Sequence, residues 1–437
     1  MATLTLLAAA IPAAQAQQIE PAAAIEAERE LTLREALRSA LAHNPGAAIS
    51  RSDVDAAERR VRLARSSILP QIYLDGRYTR NDREVVFDFD GTQVPILPEN
   101  DWSTSVTLSQ PVYAGGRELK AIRQARLGVT ESEEALRQTE AALLLDVAAN
   151  YLGVVGADAL LLVEQQNLEL ATALRRQSSD FYEAGEVTRV DVLRAETSVR
   201  GAERQLAFAR QSRQTAASLL RLAMGVDVEV EAVRPELNLP PLPPEEELVL
   251  LAMERRPEIQ RARLVTEVAR LEVEKQKGAY LPLVTARASF TQQASAFPSD
   301  QTGAVTVNMS VPIFTSGELS ARVATARQQE MRAQLLYQQT EQVVREDVRR
   351  ALVQLETAER QLALATDQRV AAEAEYEQTF ELYRAQEATS LDVQAAEANL
   401  ASARRSVVTS TLDRDLAELH VWYTAGAIRP VLLEETR

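Results

Sequence analysis

The sequence predicts a mostly helical, tandemly repeated protomer with two β-hairpins, and three observations carry that expectation. Glycine and proline are few, 15 and 17 in 437 residues, in a chain rich in the strong helix formers Ala, Leu, Glu, Arg and Gln. The stretch from Gly116 to Gly185 has no proline and carries an apolar residue at seven-residue intervals: Ile122, Val129, Leu136 and Leu143, then, after a step of four, Val147, Val154, Leu161 and Leu168. Such spacing gives one narrow apolar seam on a helix of roughly 100 Å, longer than any compact domain of this size. The same stretch recurs at an offset of 201, pairing Pro111 with Pro312, Gly116 with Gly317, Val147 with Val348, Asp191 with Asp392, Glu196 with Glu397 and Gly225 with Gly426. One unit has been duplicated.

Composition narrows the function classes. A net charge of −15 opposes nucleic-acid binding, which needs a basic face. The absence of cysteine excludes thiol catalysis, disulfides and thiolate metal sites. Residues 1–16 read as a secretory signal peptide: an apolar run from Leu4 to Ala14 precedes the small-x-small pattern Ala14-Gln15-Ala16, although no basic residue leads it. No run of 18 or more apolar residues occurs, so a transmembrane helix is not expected, and entry into a bilayer would have to use strands.

The first repeat is placed at residues 31–234. A short amphipathic helix ends near Asn44-Pro45, a second runs to Ser66, and Leu69-Pro70 opens a strand at about 71–79 in which Ile72, Leu74 and Tyr78 alternate with polar residues. An acidic loop without periodicity, Arg80 to Asp101, leads to a strand at about 102–110. There Trp102, Thr104, Val106 and Leu108 alternate with Ser103, Ser105, Thr107 and Ser109, giving one face suited to lipid and one to water. Long helices then fill 116–224. A Pro-rich linker, 235–246, precedes the second repeat at 247–426, with strands at about 283–291 and 305–311 and long helices over 317–424; residues 427–437 form a tail. Arg256-Pro257 and Leu281-Pro282 repeat Asn44-Pro45 and Leu69-Pro70 at an offset of 212 rather than 201. The length change therefore falls in the loop between paired strands, where solvent tolerates it.

Four amphipathic strands cannot close a barrel, and open strand edges in a bilayer leave backbone groups unpaired, so the chain is expected to oligomerise. Helices with one narrow seam each, wet on their other faces, join side by side into a hollow cylinder. The doubled Leu-Pro junctions, the strand endings Ser109-Gln110-Pro111-Val112-Tyr113 and Ser310-Val311-Pro312-Ile313-Phe314, and the turn motifs at Phe181–Val192 and Leu382–Val393 resemble the TolC-type outer-membrane factor family, over about residues 31–426. The resemblance implies a homotrimer in the outer membrane of a Gram-negative bacterium, its three chains forming a barrel of about 12 strands continuous with an α-helical periplasmic tunnel. It implies a passive exit duct for efflux or type I secretion, in contact with outer-membrane lipid, a periplasmic membrane-fusion adaptor and an inner-membrane pump of the RND or ABC type, with no cofactor and no enzymatic activity. The competing reading is a periplasmic coiled-coil scaffold outside the membrane, against which the flanked, alternating strands count.

By the same resemblance the two helix turns lie at the far periplasmic end and form the constricted aperture and adaptor contact. The residues concerned are Tyr182, Gly185, Val187, Thr188, Asp191, Val192 and Ala195 in the first turn, and Tyr383, Gln386, Ala388, Thr389, Asp392, Val393 and Ala396 in the second. Two roles fit Asp191 and Asp392: stabilising the starts of the return helices, or ringing the aperture with carboxylates that favour cations. Arg194 and Ala395 stand where some family members carry a further acid, which weakens the second role. Gln386 replaces the turn glycine of the first copy, so a different turn is expected there.

Three other groupings invite chemistry. Val85 to Thr92 matches the nucleophile motif of haloacid-dehalogenase-type phosphatases through Asp88 and Asp90, but that chemistry needs a parallel βαβ setting that the helical pattern does not offer. Asp88, Asp90, Glu99 and Asp101 follow no calcium-loop spacing. His43 and His420, the only histidines, belong to different repeats and read as structural.

Overall fold

The computed structural model describes residues 30–89, 92–226, 231–232, 239–293 and 300–433; the signal-peptide expectation and the start of the Pro-rich linker, 235–238, lie outside them. The two repeats superpose in their element order. In the first, α1 (Leu33–His43), α2 (Pro45–Ser66), strands β2 (Gln71–Arg80) and β5 (Asn100–Ala114), α3 (Arg117–Glu183) and α4 (Arg189–Met224) follow one another. In the second, the counterparts are α5 (Glu245–Arg255), α6 (Pro257–Lys277), β7 (Leu283–Gln293), β8 (Asp300–Ser310), α7 (Glu318–Arg384) and α8 (Ser390–Thr424). Helices α3 and α7 have 67 residues each, about 100 Å at 1.5 Å per residue.

The joints are made by the residues the sequence singles out. Asn44 caps α2, its Oδ1 accepting the Gly46 N–H at 2.8 Å, while Pro45 occupies the first turn, where its missing N–H costs nothing. Gly225 ends α4 at φ 72° and lies so close to the α1–α2 joint that an added Cβ would sit 2.8 Å from the His43 carbonyl oxygen. Gly426 repeats this at φ 71°, 3.0 Å from the Arg256 nitrogen. Each repeat thus folds its return helix back onto its own proline joint.

Strands β2, β5, β7 and β8 form one antiparallel sheet in that order. The register brings Ile72, Leu108, Ala288 and Val305 into one row and Leu74, Val106, Phe290 and Gly303 into the next, all on one face. Thr107 and Ser289, or Ser105 and Thr291, pair on the other. The acidic segment between β2 and β5, read from sequence as an irregular loop, instead contains a hairpin, β3 (Val85–Phe89) with β4 (Thr92–Leu97). Its Val-Val-Phe run has strand propensity. Short strands β1 (Glu30–Leu31) and β6 (Glu231–Ala232) pair in parallel, and the tail carries a last helix, α9 (Ile428–Leu433).

Next to the sheet the helices stand in the order α2, α3, α6, α7; toward the turns the order is α4, α3, α8, α7. Helix α3 therefore has neighbours on both sides while α7 has them on one. The main core joins α1, α3, α4, α8 and α9 around Leu37, Leu144, Val147, Tyr151, Leu220, Leu419 and Ile428, and Tyr151 Oη donates to the Leu31 carbonyl at 2.6 Å. A second, smaller core repeats it with Leu248, Val344, Val348 and Leu355.

A window of α3 reaches a mean hydropathy of 1.5, long and apolar enough to cross a membrane by length and composition. It is 44% buried within the protomer, because α3 is walled in by α1, α4 and α8 at the main core. The narrow seam widens there to serve several neighbours at once.

Candidate functional site

Two regions of the protomer are built for something other than its own stability: the sheet, and the turns at the opposite end of the helices.

The sheet is inverted relative to that of a water-soluble domain. Along β5 the Ser and Thr side chains at 103, 105, 107 and 109 are half-buried, whereas Trp102, Val106 and Leu108 are exposed. Ile72, Leu74, Tyr78, Phe290, Val305, Val307 and Met309 are exposed on the same sheet. An apolar face of that extent is costly in water, at about 25 cal/mol per Å², and suits hydrocarbon. Among the described residues, the outer edges of β2 and β8 pair with no strand.

At the other end, α3 turns into α4 and α7 into α8. Gly185 takes φ 80°; its N–H bonds to the Tyr182 carbonyl at 3.0 Å and that of Glu186 to Phe181 at 2.8 Å. Gln386 takes φ 65°, its N–H bonds to Tyr383 at 3.0 Å, and that of Glu387 bonds to Leu382 at 2.8 Å. The expected difference between the turns is therefore absent: Gln386 adopts the left-handed geometry of the glycine it replaces, held by the same bonds, at the steric cost of its Cβ.

Both aspartates cap helices. Asp191 Oδ2 accepts from the Thr188 N–H at 3.0 Å and from its Oγ1 at 2.7 Å; Asp392 Oδ2 accepts from Thr389 in the same way, at 2.9 and 2.6 Å. Hydrogen bonds from Thr188, then from Ser390, hold the Asp191 pKa below the ordinary carboxylate value, and Thr389 does the same for Asp392. Both stay ionised at neutral pH.

The turns are also joined to each other. Ser390 Oγ donates to Asp191 Oδ1 at 2.8 Å, and the Ser178 and Tyr383 hydroxyls lie 3.0 Å apart in a buried contact. Tyr383 packs edge-on against Phe181, with Leu174 and Val393 completing the cluster. Burial is the main reason the Tyr383 pKa is raised. Of the sequence-selected residues, Ala195, Tyr383, Val393 and Ala396 are buried; Val187, Asp191, Val192 and Ala388 are half-buried; Tyr182, Gly185, Thr188, Gln386, Thr389 and Asp392 are exposed. Ser178 and Ser390, which tie the hairpins, carry no sequence signal of their own.

The remaining sequence candidates separate. Asp88 sits in a two-stranded antiparallel hairpin, not at the end of a parallel strand, and Asp90 lies outside the described residues. His43 Nδ1 is 3.0 Å from the Ser39 carbonyl oxygen. His420 is lowered in pKa by burial and stacks on Tyr423. Among the described residues no cluster of metal-ligating side chains occurs.

A family model described as outer membrane efflux protein matches residues 36–226 and 248–426, interrupted at the linker between the repeats. Outer membrane efflux protein BepC of Brucella suis is 26% identical over 391 residues, covering 87% of this chain and 82% of that protein. Pyoverdine export outer membrane protein OpmQ of Pseudomonas aeruginosa is 26% identical over 408 residues, covering 87% and 83%. Among solved structures, CusC superposes with a TM-score of 0.79 at 18% identity, over 90% of this chain and 92% of that one. The Campylobacter jejuni CmeC outer membrane channel superposes at 0.76 and 17% identity, over 92% and 87%.

Proposed function

Because the chain belongs to the outer membrane efflux protein family, we propose that three copies close into one channel, a β-barrel in the outer membrane opening into a helical tunnel across the periplasm. The inverted sheet is the observation that carries this reading. Its apolar face is exposed, its other face carries Ser and Thr, and among the described residues both its edges lack partners, a combination that a bilayer and neighbouring copies satisfy together. A periplasmic scaffold would leave that face and those edges in water.

The duct is passive. It does no chemistry, and solutes reach it from an inner-membrane pump of the RND or ABC type through a periplasmic adaptor. The turns 185–195 and 386–396 form the periplasmic entrance and the adaptor contact. Their exposed residues, Tyr182, Thr188, Thr389 and Asp392 among them, are those a partner can touch, while Tyr383, Val393 and Ala396 hold the hairpins in place. Asp191 and Asp392 give the entrance its negative potential.

Two measurements test this. The purified protein in detergent is expected to have the mass of three chains and to form conducting pores in a planar bilayer. Recovery as a soluble monomer with the periplasmic contents would remove the assignment. For the entrance, Asp191→Asn together with Asp392→Asn should reduce cation preference; unchanged selectivity would assign the aspartates to capping alone.

A further inference from the structure

The cavity where the two repeats meet carries positive charge that packing alone does not explain, and we propose that it binds a small soluble oxyanion of the phosphate class. It lies at the proline joint of the second repeat, between α3, the α5–α6 joint, the end of α8 and the start of α9, and has a volume of about 200 Å³. Four guanidiniums line it, those of Arg137, Arg255, Arg256 and Arg429, against the single carboxylate of Glu258. In a chain of net charge −15, that concentration runs against composition.

The one carboxylate on the lining is already engaged. Glu258 accepts from Arg256 Nε and Nη2, both at 3.3 Å, and from Gln138 Nε2 at 3.4 Å. Glu134 and Glu140, the partners of Arg137 and Arg429, do not line the cavity. Each of those pairs occupies one Nη atom, and a guanidinium has five N–H donors. Among the described residues Arg255 makes no ion pair, and the Tyr423 hydroxyl on the same lining has no hydrogen-bond partner. Converging donors of one sign suit an acceptor that carries more than one negative charge.

The joint itself does not require this set. In the first repeat the counterparts of Arg255, Arg256 and Glu258 are His43, Asn44 and Gly46, and that of Arg137 is Gln338, yet Gly225 closes on that joint as Gly426 does on this one. Burial between Glu258 and Asp347 accounts for Arg256. It does not account for Arg255. Helix α6 also starts without the side-chain cap that Asn44 gives α2, so its first-turn N–H groups add attraction of the same sign.

The place of the cavity selects among phosphate-bearing molecules. Arg137 stands 20 residues along α3 from its start at Arg117 beside the sheet, about 30 Å at 1.5 Å per residue. With the sheet in the membrane, a step that rests on the channel reading above, phospholipid headgroups lie at the sheet end and do not reach the cavity. The ligand is therefore carried in the periplasmic water. Bound there, it bridges α3 of the first repeat to α5, α6 and α9 of the second.

Equilibrium dialysis of the purified full chain in detergent against radiolabelled inorganic phosphate, at constant ionic strength, checks this. Saturable uptake of one phosphate per chain in the millimolar range is expected. Arg255→Gln should weaken it by about tenfold or more and leave the unfolding temperature in chloride unchanged, because no ion pair is lost. Arg200→Gln, an exposed arginine on α4 paired with Glu203, should bind phosphate as the parent does. No saturable uptake by the parent, or equal affinity in the Arg255 and Arg200 variants, overturns the site. Uptake only from vesicles bearing phosphatidate would assign a headgroup and overturn the soluble class. A particle that binds phosphate but forms no pore keeps the site and removes the channel reading; pores without phosphate binding do the reverse.

Discussion

Ser390 and Asp191 lie 199 positions apart in sequence, and the hydroxyl of one donates to the carboxylate of the other at 2.8 Å. That bond and the Ser178–Tyr383 contact hold the tip of one helical hairpin to the tip of the other. A half-exposed bond of a hydroxyl to a carboxylate contributes about 1 kcal/mol. Ser390→Ala is accordingly expected to speed amide hydrogen exchange several-fold at residues 186–194 and 387–395, leaving the cores around Tyr151 and Val348 unchanged. Equal exchange in variant and parent would show that the capping bonds alone set the order of the turns.

Acid should act on the same turns. The pKa of Asp191 is depressed on folding, so the stabilisation it supplies is complete above its unfolded pKa of about 4 and is lost as the pH falls through the lower folded value. The turn amides should keep their protection at pH 5 and lose it before the main core unfolds as the pH drops below about 4. Asp191→Asn should flatten that dependence.

Gln386 holds a glycine conformation at φ 65°. Relief of the Cβ clash favours glycine there by about 1 kcal/mol, partly offset by the greater freedom of glycine in the unfolded chain. Gln386→Gly should raise local protection of the second turn, and Gly185→Gln should lower that of the first by a similar amount. The two variants moving in the same direction would contradict the equivalence of the turns.

Much of this architecture is legible in the residue order because it is local. Proline at 45 and 257, glycine at 225 and 426, and alternation along β5 each act on the backbone within a few residues. What is not legible depends on which helix stands alongside. Glu196 and Glu397 occupy equivalent positions, yet Glu196 is exposed and Glu397 is 7% exposed. The reason is that α8 packs on α3 while the matching face of α4 has no neighbour in its own chain. The turn residues show the same division. Asp191 and Asp392 announce themselves as caps by spacing, whereas Ser390 becomes visible only once the two hairpins lie side by side. The Gln386 turn was misleading because hydrogen bonds shared with the first copy override the residue's own preference.

Arg256 sits in the proline joint of the second repeat, where the first has Asn44. Its side chain is 9% exposed and bonds to Glu258 at 3.3 Å and to Asp347 at 3.0 Å. Burial alone would lower its pKa, but the two carboxylates outweigh that and raise it. Arg256→Ala would leave Glu258 without its ion pair and Asp347 with Arg350 alone, at a cost of up to about 3 kcal/mol. Asp347→Asn should cost less, since Glu258 still pairs with the guanidinium. Thermal unfolding in detergent would rank them, and equal losses would mean that Asp347, not Arg256, carries the joint.

Glu397 provides a test at neutral pH. It lies between α8, α3 and α7 with Tyr376 of α7 close by and Arg404 further along its own helix. Among the described residues its Oε2 has no hydrogen-bond partner, and neither do Gln394 Nε2 or Asn167 Oδ1. Burial pushes its pKa up to about 7. A carboxyl raised on folding imposes no penalty below its unfolded pKa and a growing one as the pH rises toward the folded value. The protein should therefore lose stability from about pH 4.5 to about pH 7, levelling off above that, by up to about 3 kcal/mol per chain. Glu397→Gln should remove this slope, stabilising the protein at pH 8 and changing little at pH 5, where the native side chain is already neutral. Glu196→Gln, measured on the dissociated chain, should change neither. If Glu397→Gln leaves the slope of unfolding temperature against pH intact, the titrating group lies elsewhere.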